Sequence, residues 1–302
     1  MDKNKLPADF FTKLDALFNS GESEKIEGYL KDTLAGLDEN GPEAATVLNE
    51  LAAYYRGVTR YAEARDSWKK AMGVLEGLGW AKSPQYATMM INRAGLLRLT
   101  GEYPEAIREY NGAARLLEEL GQGGSYAYVS LLNNLALTYE SMGDPGQAIP
   151  LAESALVIVR RRPNSEVEVA TALNNLAAMH LRAGDPAKAE SLIREAIDKF
   201  NALPETNSHL YAAHATLGAV LYNTKRYAEA LTEFETALAG TETLYGRNID
   251  YASALRSRGF TLEALGRADE AQKCLSEAAG IAESLLGKDH RVARAWRAEA
   301  GN

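Results

Sequence analysis

The stretch ALNNLAAMHLRAGDPAKAESLIREA, which runs from Ala172 to Ala196, contains the pattern that decides the fold. Within it, Ala177, Ala189 and Ala196 are separated by 12 and 7 residues, and a glycine-aspartate-proline turn lies between the first two. Small residues at such positions let two antiparallel helices approach closely, while larger side chains one turn away fill the space between them. The stretch therefore predicts a tightly packed helix pair.

The same spacing occurs six times along the chain. The pairs separated by 12 residues are Ala52/Ala64, Ala94/Ala106, Ala136/Ala148, Ala177/Ala189, Gly218/Ala230 and Gly259/Ala271. A third small residue follows each pair after 7 positions, at Ala71, Ala113, Ala155, Ala196, Ala237 and Ala278. Successive second members lie 42, 42, 41, 41 and 41 residues apart. Self-similarity at a fixed period indicates a repeat architecture in which each unit is one helix pair.

The turn inside each unit supports this interpretation. In Gly184-Asp185-Pro186 and in Gly143-Asp144-Pro145, glycine can take the left-handed conformation that ends a helix. Aspartate can then cap the next helix, and proline fits its first turn because no hydrogen bond is lost there. The other units carry Gly101 and Gly266, or Thr59 and Lys225, at the glycine position. The last two depart from the rule.

These residues resemble the tetratricopeptide repeat, whose usual unit is about 34 residues. A unit of 41–42 residues, together with the phrases ALNNLA (172–177) and LGKDH (286–290), is similar to the kinesin light chain variety. The resemblance implies an all-α, right-handed α-solenoid of antiparallel helix pairs, with six repeats, an N-terminal helix pair and a C-terminal capping helix. HEAT and armadillo repeats have a similar period, but the phasing of small residues argues against them.

The two ends differ from the repeats. Residues 1–44 carry apolar stripes without the alanine anchors and are expected to form an N-terminal helical cap or degenerate repeat, since end units of solenoids are atypical. Residues 45–289 hold the six repeats, and residues 290–302 are expected to form a charged capping helix. No linker-like segment interrupts them, so we expect one continuous solenoid.

Composition and motifs exclude several classes of function. The 302-residue chain carries a net charge of −8, which opposes a phosphate backbone and disfavours nucleic acid as a partner. Phosphate-binding loops, Cys-x-x-Cys pairs and His-Glu-x-x-His motifs are all missing from the sequence. We therefore expect a protein that is not an enzyme and needs no cofactor and no metal.

The expected location is cytoplasmic. The single cysteine, Cys274, permits no intrachain disulfide and fits a reducing compartment. No segment has the ~18 uninterrupted apolar residues of a membrane span, and no apolar leader follows Met1. No membrane partner is expected either.

The resemblance also places candidate binding residues on the first helix of each unit, whose exposed side lines the concave groove in tetratricopeptide proteins. Two and three positions before the first anchor, the candidates are Asn92, Asn133, Asn134, Asn174 and Asn175. An asparagine amide both donates and accepts, so it can hold the backbone of an extended peptide. In the alternative interpretation, these amides only join neighbouring helices.

Arginines on the same side favour a partner with acidic side chains or a terminal carboxylate. They are Arg56, Arg98, Arg182 and Arg256. Two others, Arg93 and Arg258, directly precede their anchors and are expected to be structural, with packed alkyl stems. The lysine-asparagine clamp of some chaperone-binding relatives is not reproduced.

The sequence thus predicts a protein-interaction scaffold that binds an extended, preferably acidic peptide, and a monomer is favoured. Two alternatives stay open. One is a regulatory sensor in which a peptide or ligand changes the shape of the solenoid, since small rotations add along a repeat array. The other is a structural oligomer.

Overall fold

The computed structural model describes residues 5–20, 23–203 and 208–301, and every regular element in these ranges is an α-helix. This confirms the all-α class. The chain divides into two compact units, unit 1 (residues 1–142) and unit 2 (residues 143–302).

The helices of each unit follow in sequence order. Those described in unit 1 are α1 (Phe10–Ser20), α2 (Ser23–Ala35), α3 (Pro42–Gly57), α4 (Tyr61–Gly77), α5 (Pro84–Leu99), α6 (Tyr103–Glu119) and α7 (Tyr126–Ser141). Those described in unit 2 are α8 (Pro145–Arg160), α9 (Glu166–Arg182), α10 (Pro186–Asn201), α11 (Ser208–Asn223), α12 (Tyr227–Tyr245), α13 (Ile249–Ala264), α14 (Ala268–Leu286) and α15 (Arg291–Glu299).

Packing within each unit follows the repeat. We call α3, α5, α7, α9, α11 and α13 the A helices and the helix after each one its B helix. In unit 1, α3 packs on α4 and α5 on α6, while α3, α5 and α7 contact one another in that order. In unit 2, α9, α11 and α13 each pack on their B helix, and α11 contacts both α9 and α13. Each unit therefore presents neighbouring A helices on one side.

In the repeats whose two helices belong to one unit, the small residues lie where these helices touch. All the alanine anchors are buried, which confirms the packing role predicted for them. Where glycine is the anchor, the approach is closer still. A Cβ added at Gly218 would lie 2.8 Å from the ring of Phe234, and one added at Gly259 would lie 2.9 Å from Leu275. The bulky B-helix residue thus occupies the space that a side chain on the A helix would need.

We expect Gly218→Ala to destabilise unit 2 by about 1–2 kcal/mol, because overpacking a buried ring outweighs alanine's better helix propensity. Urea unfolding measures the change. Gly280→Ala is the matched control: this residue lies inside α14 with nothing within 4 Å of an added Cβ, and alanine there should stabilise by about 0.5–1 kcal/mol. Equal effects at both positions would contradict the packing explanation.

The turns inside the repeats have the predicted geometry. Gly143 and Gly184 have φ angles of 77° and 84°, in the left-handed region. The Asp185 carboxylate accepts a hydrogen bond from the backbone N–H of Lys188 at 3.0 Å, and Asp144 caps α8 in the same way. The glycine stop and the aspartate cap are therefore confirmed.

Two turns without glycine keep the same backbone conformation. Thr59 and Lys225 have φ angles of 62° and 61°, which cost an L-residue about 1–2 kcal/mol. The repeat therefore imposes its turn on residues that disfavour it, and β-branched Thr59 is the more strained of the two.

We expect Thr59→Gly and Lys225→Gly each to stabilise the chain by about 0.5–1 kcal/mol, since relief of strain exceeds the entropy that glycine adds to the unfolded state. Thermal and urea unfolding provide the measurement. The reverse change at the equivalent turn, Gly266→Lys, should destabilise by a similar amount. A loss of stability in either glycine variant would contradict this account.

The N-terminal helices close one end of unit 1. Phe10 and Leu14 of α1 and Ile26 and Leu30 of α2 are buried in one cluster with side chains of α3 and α4. A polar contact reinforces this packing through Glu27. Its carboxylate accepts a hydrogen bond from the Tyr55 hydroxyl at 2.9 Å, and pairs with Arg60 at 2.6 Å and with Lys31 at 2.7 Å.

These partners make the stability of unit 1 depend on pH. The hydrogen bond from Lys31, followed by those from Tyr55 and Arg60, lowers the pKa of Glu27 from 4.5 to about 2 against the opposing effect of burial. The ionised carboxylate therefore stabilises the fold above pH ~4.5, and that contribution is lost as the pH falls toward 2.

Glu27→Gln should remove this dependence. Between pH 5 and pH 2 we expect the wild type to lose about 1 kcal/mol more stability than the variant, a modest value because Lys31 and Arg60 remain well exposed to water. Urea unfolding across this pH range provides the test. Glu39→Gln removes an exposed carboxylate and serves as the control. Parallel curves for the wild type and Glu27→Gln would refute the role of Glu27.

The C-terminal helix packs on the last repeat. Trp296 and the buried Ala300 lie against Leu275, Ala279 and Phe260. An ion pair joins Arg297 of α15 to Glu283 of α14. The segment that the sequence marks as charged and helix-prone thus packs on α13 and α14.

In the described part of the chain, no helix has the length and apolar character needed to cross a bilayer.

Candidate functional site

The candidate site residues lie on the A helices. The asparagines at the two predicted positions are all half-buried. Their amides are placed differently, however, and they fall into three groups by the hydrogen bonds that they make.

In unit 1, Asn92 is joined to the neighbouring A helix. Its amide nitrogen donates to the side-chain oxygen of Asn49 at 3.1 Å, and the indole N–H of Trp68 donates to the same oxygen at 3.0 Å. The amide nitrogen of Asn49 donates in turn to the Glu50 carboxylate at 3.1 Å. Asn92 therefore links α5 to α3, as in the structural alternative, while its own side-chain oxygen accepts no hydrogen bond from the described residues.

Asn134 bonds along its own helix. Its amide nitrogen donates to the backbone oxygen of Ser130 at 2.9 Å and lies 3.4 Å from the Ser130 hydroxyl. The side-chain oxygen of Asn134 has no donor among the described groups. Like Asn92, Asn134 therefore has a side-chain oxygen that can still accept a hydrogen bond from a ligand on the A helices.

The third group consists of asparagines whose amides have no hydrogen-bond partner among the described residues. Asn133, Asn174 and Asn175 make no hydrogen bond with any group that the structure describes. The side-chain oxygen of Asn174 is moreover buried without a donor. A buried acceptor that lacks a donor costs about 1–3 kcal/mol, so α9 offers two adjacent amides with unused hydrogen-bonding capacity.

Two of the predicted arginines come together in unit 1. Arg56 lies in the last turn of α3 and Arg98 in the last turn of α5, and both are half-buried. The Arg56 guanidinium lies 5.8 Å from the centre of the Trp68 ring. Burial is the main cause that lowers the pKa of Arg56, and the positive charge of Arg98 adds to it. The two cations are therefore near neighbours.

The other two arginines are placed elsewhere. Arg256 pairs with Glu299, the last residue of the C-terminal helix, and its guanidinium lies over the rings of Phe260 at 4.8 Å and Trp296 at 5.6 Å. It therefore holds α15 in place. Arg182 is exposed at the end of α9. The arginines before the anchors are structural, as predicted, since Arg93 pairs with Glu109 of its B helix and Arg258 contacts Cys274 of its own.

The sequence did not single out the residues that connect these groups. Asn49 occupies the same register as Asn133 and Asn174, and this shared position was the signal that could have identified it. Glu50 lies beside it, and burial raises the pKa of its carboxyl group. Tyr110 belongs to a B helix and fills a packing position, so no pattern distinguished its hydroxyl.

Among the described residues, no group of three or more histidine, cysteine, aspartate or glutamate side chains could hold a metal ion.

Models of known protein families match the residues of most of these helices. A tetratricopeptide repeat model matches residues 43–119, 85–161, 126–202 and 168–242. A second tetratricopeptide repeat model matches residues 252–291. No curated protein shows a significant match.

Solved structures share the fold at low identity. BtubC (BKLC) from P. vanneervenii is similar with a TM-score of 0.60 and 24% identity, over 74% of this chain and 91% of its own. Repeats of a putative kinesin light chain from Podosopora anserina are similar with a TM-score of 0.55 and 17% identity, over 67% of this chain and 97% of that chain. The apo form of the quorum sensor NprR from B. thuringiensis is similar with a TM-score of 0.65 and 17% identity, over 97% of this chain and 80% of that chain.

Proposed function

Because the chain belongs to the tetratricopeptide repeat family, we propose that it is a protein-interaction scaffold that binds an extended peptide segment along its A helices. The family is generally a non-catalytic scaffold. The partner is a protein, and the segment it contributes lies across neighbouring A helices of one unit.

The observation that carries this proposal is the pair of amides on α9. Asn174 and Asn175 are adjacent and half-buried, and neither makes a hydrogen bond with a described group. The side-chain oxygen of Asn174 is buried without a donor, and such groups are rare in native proteins because each one forfeits the hydrogen bonds that it made with water. A peptide backbone supplies the N–H donors and C=O acceptors that these amides lack.

This mode of recognition reads the backbone more than the sequence of the peptide. An asparagine amide offers two donors and one carbonyl acceptor, so it pairs with main-chain groups whatever the neighbouring side chains are. The free side-chain oxygens of Asn92 and Asn134 extend the same chemistry along α5 and α7 of unit 1. Arginines at the ends of α3 and α5 favour acidic side chains in the segment.

Neither a shape-changing regulatory sensor nor a structural oligomer has a specific observation in its favour. The quorum sensor among the similar structures is only 17% identical to this chain, and such a likeness concerns the fold alone. We therefore keep the scaffold function. We propose the cytoplasm as the compartment in which the protein acts, because its single cysteine, Cys274, fits a reducing environment.

The test is a selection of random linear peptides on the purified chain, followed by affinity measurement for the selected peptides. We expect binders, and we expect Asn174→Ala combined with Asn175→Ala to weaken peptides bound at α9 about tenfold. Two lost hydrogen bonds of about 0.5–1.5 kcal/mol each give this magnitude.

Asn201→Ala is the matched control, since Asn201 is exposed at the end of α10 in the same unit. It should leave every affinity unchanged. The proposal fails if no linear peptide is selected. It also fails if the affinities of all selected peptides are insensitive to the α9 variants and to Asn92→Ala and Asn134→Ala.

A further inference from the structure

The strongest unexplained feature lies in unit 1, where Arg56 and Tyr110 meet beside Gly95 and Arg98 lies close to both. A Cβ added at Gly95 would lie 3.3 Å from the Arg56 Nη1 atom and 3.6 Å from the Tyr110 hydroxyl. The absence of a side chain at this position therefore leaves room for both groups next to α5. The cluster belongs to the proposed peptide surface, so the ligand chemistry assigned to it rests on that function.

The polar atoms of this cluster lack partners. The hydroxyl of Tyr110, a residue that is 0% exposed, makes no hydrogen bond with a described group, and neither does the buried Nε of Arg98. Burial raises the pKa of Tyr110 to about 12, although the nearby positive charges of Arg98 and Arg56, and a close contact of the Arg98 side chain with the Tyr110 hydroxyl, act in the opposite direction. At neutral pH the hydroxyl keeps its proton and is a donor.

The cations of the cluster also lack counterions. Unit 1 has other arginines with carboxylate partners, among them Arg60 with Glu27 and Glu63, and Arg65 with Glu102. Neither Arg56 nor Arg98 forms an ion pair in the part of the chain that the structure describes. In a chain with 41 acidic residues and a net charge of −8, leaving two neighbouring half-buried arginines unpaired is costly unless a ligand supplies the charge.

We propose that Arg56, Arg98 and Tyr110 form a carboxylate-binding site for the peptide that occupies the A helices of unit 1. A carboxylate has two oxygens that accept about four hydrogen bonds, and planar guanidinium groups match it in a bidentate geometry. The Nε–H of Arg98, the Nη1 of Arg56 and the Tyr110 hydroxyl are three donors for those oxygens. A carboxylate also offsets the mutual repulsion of the two cations.

The site is closed in the free chain, because the Tyr110 hydroxyl and the Arg98 Nε are buried. A ligand reaches them when the end of an arginine side chain moves, which its several rotatable bonds allow. Binding at the site therefore includes a side-chain rearrangement, and the signal of the Arg98 Nε–H reports on it directly.

The experiment monitors the arginine Nε–H signals of the full chain by NMR, with isotope-labelled arginine, at constant ionic strength. N-acetylaspartate N-methylamide carries a side-chain carboxylate, and N-acetylalanine carries a terminal one. The neutral N-acetylasparagine N-methylamide and inorganic phosphate complete the set. We expect at least one carboxylate probe to shift the Arg98 signal saturably, which also tells side-chain from terminal carboxylates, and we expect no shift with the neutral amide.

Three variants complete the test. Arg56→Gln should weaken carboxylate binding about tenfold, and Arg115→Gln, an exposed arginine of α6, should leave it unchanged. Tyr110→Phe removes only the unpartnered hydroxyl, so stability should be kept while binding weakens about threefold. The proposal is overturned if neither carboxylate gives a saturable shift, if the neutral amide gives the same shift, if phosphate alone binds, or if Arg56→Gln and Arg115→Gln behave alike.

This outcome is separable from that of the scaffold proposal. If selected peptides bind but their affinities are the same in Arg56→Gln and the wild type, the scaffold stands and the carboxylate site fails. If no peptide is selected while a carboxylate probe still shifts Arg98, the carboxylate site stands and the peptide scaffold fails.

Discussion

The close approach of the two helices of a repeat within one unit is the constraint on which the rest of the structure depends. It requires a small residue on the A helix opposite a bulky residue on the B helix, as at Gly218 against Phe234 and at Gly259 against Leu275. Because interiors pack at nearly constant density, the pairing of small with large fixes how the helices lie. The turn between them is then imposed, even on Thr59 and Lys225, whose backbones resist it.

Once one side of each A helix is used for this packing, its other side is free to vary. The asparagines show how far this freedom extends. Asn92 links two A helices through Asn49, Asn134 bonds along its own helix, and Asn174 and Asn175 bond to no described group. The same residue type in the same register thus supports the fold in one repeat and leaves hydrogen-bonding groups unused in another. A repeat protein can therefore build a binding surface without altering its core.

The arginines also differ from one repeat to another in whether they have a carboxylate partner. Several arginines are neutralised by carboxylates from adjacent helices, and Arg256 holds the C-terminal helix through Glu299. Such exposed pairs contribute little each. Arg56 and Arg98 differ because they are half-buried, lie close to each other and to Tyr110, and form no ion pair with a described residue. What distinguishes unit 1 is this local excess of unpaired positive charge, and not the net charge of the chain.

The sequence by itself determined the fold class, the repeat period, the buried anchors and the turns, since these depend on spacing and on residues such as Gly184 and Asp185 that act on their immediate neighbours. It also selected the A-helix register of the candidate site. Only the tertiary structure decided which of those residues are already occupied, because Arg256 meets Glu299 and Asn92 meets Asn49 across about 43 residues of chain. Periodicity places a residue on a face of its helix. The partner that its polar atoms find there depends on how separate helices pack, which no spacing within one helix specifies.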